Sequence, residues 1–189
     1  MRLFVALELP ESVRTMLSDL MAAWKPLVRE GVRWVRPEGM HITLKFIGHA
    51  DAAKLPGIQS ALSPIRSEGL VEIDIRGAGF FPDSKRPRVL WCGVRASPNL
   101  ARVAAEIDQA LASLDISAET RPFKPHLTLA RLNSPAAKLA PLIAAAEKLG
   151  DCEFGSIRET EFHLYESILQ RGGAQYRKVQ SYPFVKGAE

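Results

Sequence analysis

The sequence predicts an α+β fold of two similar lobes related by a pseudo-twofold axis, with largely antiparallel sheets, outer helices and a cleft between the lobes. Two internal matches carry this prediction. The stretch RPEGMHITL from residue 36 recurs as RPFKPHLTL from residue 121, and the segments that begin at residues 2 and 89 both read as an apolar strand, a proline-bearing turn and an amphipathic helix. Short connections and one-sided apolar alternation favour antiparallel pairing. We therefore expect one bilobal domain over residues 1–189, with an internal repeat of about 2–88 and 89–189.

The first repeat is predicted to run strand, helix, strand, helix, strand. Apolar residues recur at three- and four-residue spacing between positions 11 and 24, which indicates a helix. Val71, Ile73 and Ile75 alternate with charged residues, a pattern typical of a half-buried strand. The predicted elements are strands at 3–7, at 40–47 (ended by Gly48) and at 71–75, and helices at 11–24 and from Asp51 to about Ser67.

The second repeat follows the same order and adds a strand at its end. Ser97 and Pro98 are residue types that begin helices, and Gly150 is one that ends them. The predicted elements are strands at 89–94, 126–130, 154–164 and 176–185, and helices at 98–114 and 135–149.

Composition and charge restrict the class of protein. Of the 189 residues, 47% are hydrophobic and 24% charged, which excludes collagen and a disordered chain. The net charge of +4 suits an anionic ligand but is too small for a protein that coats nucleic acid. Cys92 and Cys152 stand singly, without disulfide or metal-pair spacing. No apolar run approaches the roughly 20 residues of a membrane span. We expect a cytoplasmic monomer with no membrane partner.

Each repeat carries a histidine and a threonine two residues apart on a predicted strand. Residues i and i+2 of a strand point to one face, so His41 shares a face with Thr43. His126 shares a face with Thr128 for the same reason. The aliphatic residues between them face the core of their own lobe. A pseudo-twofold axis between the lobes would bring both pairs to one cleft.

Two histidines that face one point suit in-line displacement at a phosphodiester. One imidazole takes a proton from the nucleophile while the other protonates the leaving oxygen, and the ordinary histidine pKa of ~6.5 allows both roles near neutral pH. Threonine hydroxyls can donate hydrogen bonds to the phosphate oxygens as charge builds there. Two histidines without a carboxylate or cysteine at ligand spacing make a poor zinc site, so we expect no metal and no cofactor.

The two motifs, HITL and HLTL, resemble the paired H-x-T-x motifs of the 2H phosphoesterase superfamily. Four flanking segments are similar to the bacterial and archaeal RNA 2′,3′-cyclic phosphodiesterases, also described as 2′-5′ RNA ligases: FVALELP, RWVRPEGMHITLKFIG, GAGFFPDSKRPRVLWCGV and RPFKPHLTLAR. The resemblance implies hydrolysis of a 2′,3′-cyclic phosphate at an RNA end to a 2′-phosphate, with 2′-5′ ligation as a further activity. It also implies that the partner is an RNA with that end.

The resemblance further implies roles for single residues. His126 matches the proton acceptor that activates water, and His41 matches the proton donor to the leaving 3′ oxygen. Thr43 and Thr128 match the hydroxyls that contact the phosphate.

The resemblance also gives roles to two residues that a regular strand would not place in the cleft. Arg131 matches a phosphate-binding arginine, and Phe46 matches an aromatic residue near the base. Each lies five residues after its histidine, and this odd offset places both on the core face of a regular strand. They reach the cleft only if the strand bends.

Several neighbours have two interpretations. Lys85, Arg86 and Arg88 in FPDSKRPR either attract an RNA strand or form a solvated basic hairpin. Some basic residues either fix the start of the motif strands or contact RNA: Arg36, Lys45, Arg121 and Lys124. We interpret the remaining histidines, tryptophans and cysteines as structural, with both cysteines and all three tryptophans in apolar surroundings: His49, His163, Trp24, Trp34, Trp91, Cys92 and Cys152.

The sequence leaves other functions to be weighed. The same site could act on a small cyclic nucleotide or an ADP-ribose cyclic phosphate, because the motif contacts the phosphate rather than the base. A catalytically silent RNA-binding module on the same fold is a third interpretation, against which both intact motifs argue. Ribonucleases of the RNase A type also use two histidines, but no feature here would orient an internal 2′-hydroxyl.

Overall fold

The computed structural model describes residues 1–170 and 173–185, which form nine strands and four α-helices. The strands are β1 (Arg2–Leu7), β2 (Val32–Trp34), β3 (Ile42–His49), β4 (Val71–Phe81), β5 (Val89–Ala96), β6 (His126–Leu132), β7 (Glu153–Glu159), β8 (Glu161–Gln170) and β9 (Gly173–Pro183). The helices are α1 (Glu11–Trp24), α2 (Leu55–Leu62), α3 (Pro98–Ala112) and α4 (Ala140–Leu149). No helix of the described residues is long and apolar enough to cross a membrane. The last residues of the predicted domain, 186–189, lie outside the described part.

The strands form two antiparallel sheets, so the predicted α+β class is confirmed. Sheet A has the order β3-β1-β8-β9, and sheet B has the order β2-β6-β5-β4-β7. Each sheet takes strands from both halves of the chain, contrary to the expectation that each repeat buries its aliphatic residues in its own lobe. The reason is local: a short hairpin joins β4 to β5 with Phe81 paired to Val89, which carries β4 into sheet B. The outer limits of the domain stay a prediction.

The helices are exchanged between the sheets in the same way. Helix α1, from the first half, packs against β7 of sheet B, while α3, from the second half, packs against β3 of sheet A. The two sheets meet along β3 and β6. In β1, Val5 lies in the main core, whereas Phe4 and Ala6 cluster with Tyr165 on the opposite face. We call this opposite face of the sheets the cleft face.

The second helix ends earlier than predicted. Asp51 accepts a hydrogen bond from Ala53 N (3.1 Å) at a short 3₁₀ turn, and α2 then runs only to Leu62 rather than to about Ser67. Pro64 has no N–H with which to continue the helical hydrogen bonds. Ser97 precedes α3 without capping it, because its Oγ accepts a hydrogen bond from Glu72 N (3.0 Å) instead of from the helix.

The strands also differ from the prediction in their number and bounds. The stretch predicted as one strand at 154–164 is two strands, β7 and β8, which separate at Thr160 and enter different sheets. Strand β3 continues through Gly48, which adopts a φ of 80°, to His49. The three-residue strand β2 is too short to show a period in the sequence.

Candidate active site

His41 and His126 hold equivalent positions, His41 directly before β3 and His126 as the first residue of β6. The Nδ1 atom of His41 lies 2.8 Å from the carbonyl oxygen of Gly39, and the Nδ1 atom of His126 lies 2.8 Å from that of Lys124. A carbonyl oxygen can only accept, so in both rings Nδ1 carries a proton and donates it. In each neutral ring Nε2 is therefore the atom free to accept a proton.

A β-bulge follows the histidine in both repeats. In the β1–β3 pair, Ala6 lies opposite Thr43 and Val5 lies opposite Lys45, which leaves Leu44 as an extra residue. A bulge of this kind shifts the alternation of side chains by one position. The residues after Leu44 therefore point to the face opposite to that of a regular strand.

The second repeat has its bulge at the same place. Trp91 lies opposite Thr128 and Leu90 lies opposite Ala130, which leaves Leu129 as the extra residue. Leu129 follows His126 by three residues, as Leu44 follows His41.

The bulges turn Phe46 and Arg131 to the cleft face. Phe46 is paired with Phe4, and its side chain is 65% exposed. Arg131 is paired with Val89 and is also exposed. Each therefore shares a face with the threonine of its own strand, because the strand bends as the odd offset requires. The roles of the two residues in substrate binding stay predictions.

Aromatic side chains surround both histidines. The ring of Phe4 lies 4.6 Å from that of His41 between centroids, and Tyr176 of β9 meets His41 edge-on at 5.0 Å. On the other side, Phe81 meets His126 edge-on at 4.9 Å and lies 5.3 Å from Trp91. Three of these aromatic residues were not predicted from the sequence: Phe4, Tyr176 and Phe81. The available signal for Tyr176 was a lone aromatic residue in the polar stretch AQYRKVQ.

Burial and the charge of His126 both lower the pKa of His41. Burial lowers the pKa of His41 to about 4, the hydrogen bond to Gly39 opposes this change, and the charge of His126 lowers the pKa further. The two histidines are thus close enough to influence each other electrostatically. At neutral pH His41 of the free protein is uncharged.

A cavity of about 440 Å³ opens beside His126 on the cleft face of sheet B. Phe81 and Trp91 line it near the histidine, and three basic residues and one acidic residue also line it: Arg76, Arg95, Lys124 and Asp151. Trp91 is half-buried here, so its interpretation as a core residue is wrong. Among the described residues, no group of three or more His, Cys, Asp or Glu side chains is placed to hold a metal ion.

The other basic residues flagged in the sequence take different places. Lys45 is buried, forms an ion pair with Asp108 and donates to Ser117 O (2.7 Å), so it holds α3 against β3 instead of facing RNA. Arg121 is exposed and paired with Glu119 at 3.2 Å, and Arg36 is exposed at the start of its 3₁₀ turn.

The basic loop between β4 and β5 is held in shape by Asp83, whose carboxylate accepts hydrogen bonds from the backbone N–H groups of Lys85 and Arg86, both at 2.9 Å. The side chains of Lys85, Arg86 and Arg88 are exposed. Their contact with RNA stays a prediction.

Of the seven residues interpreted as structural, three are buried, Trp34 and Trp91 are half-buried, and two are exposed. His163 is buried, with Nδ1 2.9 Å from Ser181 Oγ, and Trp24 and Cys92 lie in the core. Cys152 is exposed, contrary to expectation, because it lies in the turn between Gly150 and β7. His49 is exposed at the end of β3.

Comparison with known proteins follows the repeat seen in the sequence. A family described as LigT like Phosphoesterase matches the chain twice, over residues 7–91 and 94–176. The chain is 32% identical over 185 residues to the RNA 2′,3′-cyclic phosphodiesterase of Archaeoglobus fulgidus, covering 95% of this chain and 98% of that protein. It is 38% identical over 149 residues to the protein of the same name from Aeropyrum pernix, covering 78% and 84%.

Solved structures show the same architecture over nearly the whole chain. The crystal structure of TT0787 of Thermus thermophilus matches with a TM-score of 0.79 and 30% identity, covering 97% of this chain and 98% of that one. The crystal structure of E. coli LigT complexed with 3′-AMP matches with a TM-score of 0.77 and 28% identity, covering 97% of each chain.

Fold and family matches together place the protein among the phosphoesterases, enzymes that act on phosphate esters. The chain belongs to the LigT-like phosphoesterase family, and the resemblance to the 2H phosphoesterases that its two motifs indicated is confirmed.

Proposed function

We propose that this protein hydrolyses the 2′,3′-cyclic phosphate at an RNA end to a 2′-phosphomonoester, using two histidines as general acid and general base and no metal. The observation that carries the proposal is the duplicated geometry of His41 and His126, each with Nδ1 fixed by a backbone carbonyl. The archaeal relatives, which are known as RNA 2′,3′-cyclic phosphodiesterases, support the substrate class. One chain suffices, since both motifs come from it.

The proposed reaction is an in-line displacement at phosphorus. Nε2 of His126 accepts a proton from water as the water oxygen bonds to phosphorus. The bond from phosphorus to the 3′ oxygen breaks, and Nε2 of His41 donates a proton to that oxygen. A 5′-hydroxyl in place of the water would give the 2′-5′ ligation that the family resemblance implies. Each proton transfer contributes typically ~10²–10⁴-fold to the rate.

The donor role requires His41 to be protonated when substrate is bound. The free protein disfavours that state, since burial lowers the pKa of His41. A phosphate anion about 4 Å from the ring would stabilise the charged form by about 4 kcal/mol at an effective dielectric of about 20, equal to about three pKa units. Substrate binding therefore restores the proton that the reaction needs.

The neighbouring side chains hold the substrate in this proposal. Thr43 and Thr128 donate hydroxyl hydrogen bonds to the non-bridging phosphate oxygens, where charge increases during the reaction. Arg131, turned to the same face by its bulge, binds the phosphate with its planar guanidinium group. Phe46, exposed on β3, stacks on the base of the terminal nucleoside.

The test uses a short RNA ending in a 2′,3′-cyclic phosphate, incubated with EDTA. We expect the wild type to produce a 2′-phosphate and His41→Ala or His126→Ala to lose about 10²–10⁴-fold in rate. His49→Ala is the matched control, because His49 is exposed on the same strand as the first motif. Hydrolysis by both motif variants at the wild-type rate would refute the mechanism. Faster turnover of mononucleoside cyclic phosphates than of RNA would assign the site to small cyclic nucleotides.

The donor and acceptor roles are separated by a phosphodiester with a nitrophenyl leaving group, which departs without a proton. His41→Ala should lose far less rate on this substrate than on RNA, whereas His126→Ala should lose as much on both. The reverse pattern would exchange the two roles.

A further inference from the structure

The cavity beside His126 holds an aromatic surface that the proposed reaction does not use. Trp91 lies opposite Gly79 in the β4–β5 pair. A Cβ atom at Gly79 would stand 2.3 Å from Cζ2 and 2.5 Å from Cη2 of Trp91, so the benzene ring of the indole occupies the space above this glycine. Gly93, two residues further along β5, would bring a Cβ to 3.5 Å from Trp91 Cζ3. The indole of Trp91 therefore packs over the backbone of Gly79 and Gly93.

One face of the Trp91 indole thus contacts the backbone, and the other face is directed towards the cavity that Trp91 lines. Phe81 extends the surface towards the catalytic histidine, with its ring 5.3 Å from Trp91 and 4.9 Å from His126. Flat aromatic surfaces of this kind stack nucleobases. The surface thus lies on the His126 side of the site, whereas Phe46 and Tyr176 provide exposed aromatic side chains on the His41 side.

The charge of the cavity fits a nucleotide. Arg76 and Arg95 lie at its wall, both within ion-pair distance of Asp151 at 2.8 and 3.1 Å, and Lys124 is exposed beside His126. Three basic side chains against one carboxylate leave a net positive charge there. That charge favours a phosphate-bearing ligand over a neutral apolar one.

We propose that Trp91 and Phe81 form a stacking subsite for a second nucleobase, which belongs to the nucleoside whose 5′ oxygen approaches phosphorus from the His126 side. This rests on the proposed function. In a 2′,3′-cyclic phosphate two phosphate oxygens are bonded to the first nucleoside, so a second nucleoside reaches phosphorus only where the water attacks. With His126 as the acceptor, that is the side of this cavity.

The test compares two ligands that differ only by the second nucleoside: 3′-deoxyadenosine 2′-(methyl phosphate) and 3′-deoxyadenylyl-(2′→5′)-adenosine. The 3′-deoxy sugar prevents turnover, and the two ligands carry the same charge. Calorimetric titration of the wild type should show the dinucleotide binding about 5- to 150-fold more tightly, the range expected for one stacked base. Trp91→Leu should reduce this ratio to near one, and Trp91→Phe should keep most of it. Phe46→Ala should weaken both ligands alike.

A second measurement follows the indole N–H signals of the ¹⁵N-labelled protein, in case Trp91→Leu does not fold. The Trp91 signal is assigned as the indole N–H signal that is absent from the spectrum of Trp91→Phe. The dinucleotide should shift the Trp91 signal and leave that of Trp24, which is buried in the core, in place. The subsite would be overturned if the wild type bound both ligands with similar affinity, or if Trp91→Leu kept the wild-type ratio of affinities. It would also be overturned if the dinucleotide did not shift the Trp91 signal. A Trp91-dependent gain only for an RNA extended on the 5′ side of the first nucleoside would also overturn it.

The subsite and the proposed function can fail separately. Hydrolysis of the cyclic phosphate by the wild type without any gain from the second nucleoside would remove the subsite alone. A Trp91-dependent gain in a protein that does not hydrolyse the cyclic phosphate would remove the proposed function and leave a dinucleotide-binding site.

Discussion

His41 shows how far the surroundings of one side chain decide its chemistry. Its motif is nearly the same as that of His126, yet burial against Phe4 and Tyr176 lowers its pKa to about 4. A lowered pKa in the folded protein means that the unfolded chain binds the proton more strongly. The free energy of unfolding gains a contribution from neutral His41 above pH ~6.5, and this contribution is lost as the pH falls through about 4.

We expect inorganic phosphate to raise the pKa of His41, because an anion next to the ring stabilises its charged form. The measurement is an NMR titration of the ring Cε1–H signal between pH 3 and 8 with and without saturating phosphate. Linkage requires that phosphate also binds more tightly at lower pH. An unchanged pKa with phosphate bound would contradict the donor role given to His41.

At the scale of elements, the sequence predicted regular structure well and irregular structure poorly. The strong helical periodicity of residues 11–24 gave α1 its observed bounds, Glu11–Trp24. The bulges at Leu44 and Leu129 were not predictable from the sequence. Each depends on the register of its strand against a partner, β1 or β5, and no local sequence pattern determines that register. The positions of Phe46 and Arg131 on the cleft face follow from those bulges and not from their spacing alone.

The contact between α3 and β3 depends on the ion pair of Lys45 with Asp108. Lys45 is 5% exposed and Asp108 is 25% exposed. An unpaired Lys45 therefore reduces the free energy of unfolding more than an unpaired Asp108 does. Asp108→Ala leaves a buried ammonium group without its carboxylate and should reduce the free energy of unfolding by about 3 kcal/mol, more than Lys45→Met. Urea denaturation measures both. The control is Arg158→Ala, which breaks a surface pair with Glu72 and should cost about 0.5 kcal/mol or less. Equal losses in Asp108→Ala and Lys45→Met would contradict this account.

For the whole molecule, the internal repeat predicted the duplicated architecture but not the exchange of strands. A repeat of strands and helices is compatible with either two separate lobes or two shared sheets, and only the pairing of β4 with β5 and of β8 with β1 decides between them. These pairings depend on contacts distant in the sequence, where hydrophobic periodicity gives no information.

Shared sheets imply that the two halves fold together. We expect fragments 1–88 and 89–189, expressed separately, to lack a cooperative thermal transition, because each leaves central strands of both sheets unpaired. Circular dichroism and calorimetry would measure this, with the full chain showing one transition. A cooperative transition in either fragment would show that half to be an independent unit.

The position of β1 within sheet A has a consequence for synthesis on the ribosome. This strand is made before the other strands of its sheet, yet one of its two neighbours, β8, begins at Glu161. Until that residue has left the exit tunnel, the nascent chain carries an apolar strand with an open edge. Such an edge is a template for pairing with other chains. Chaperones that hold nascent chains should therefore contact this protein mainly through β1, and release it only after β8 has emerged and can pair with that strand.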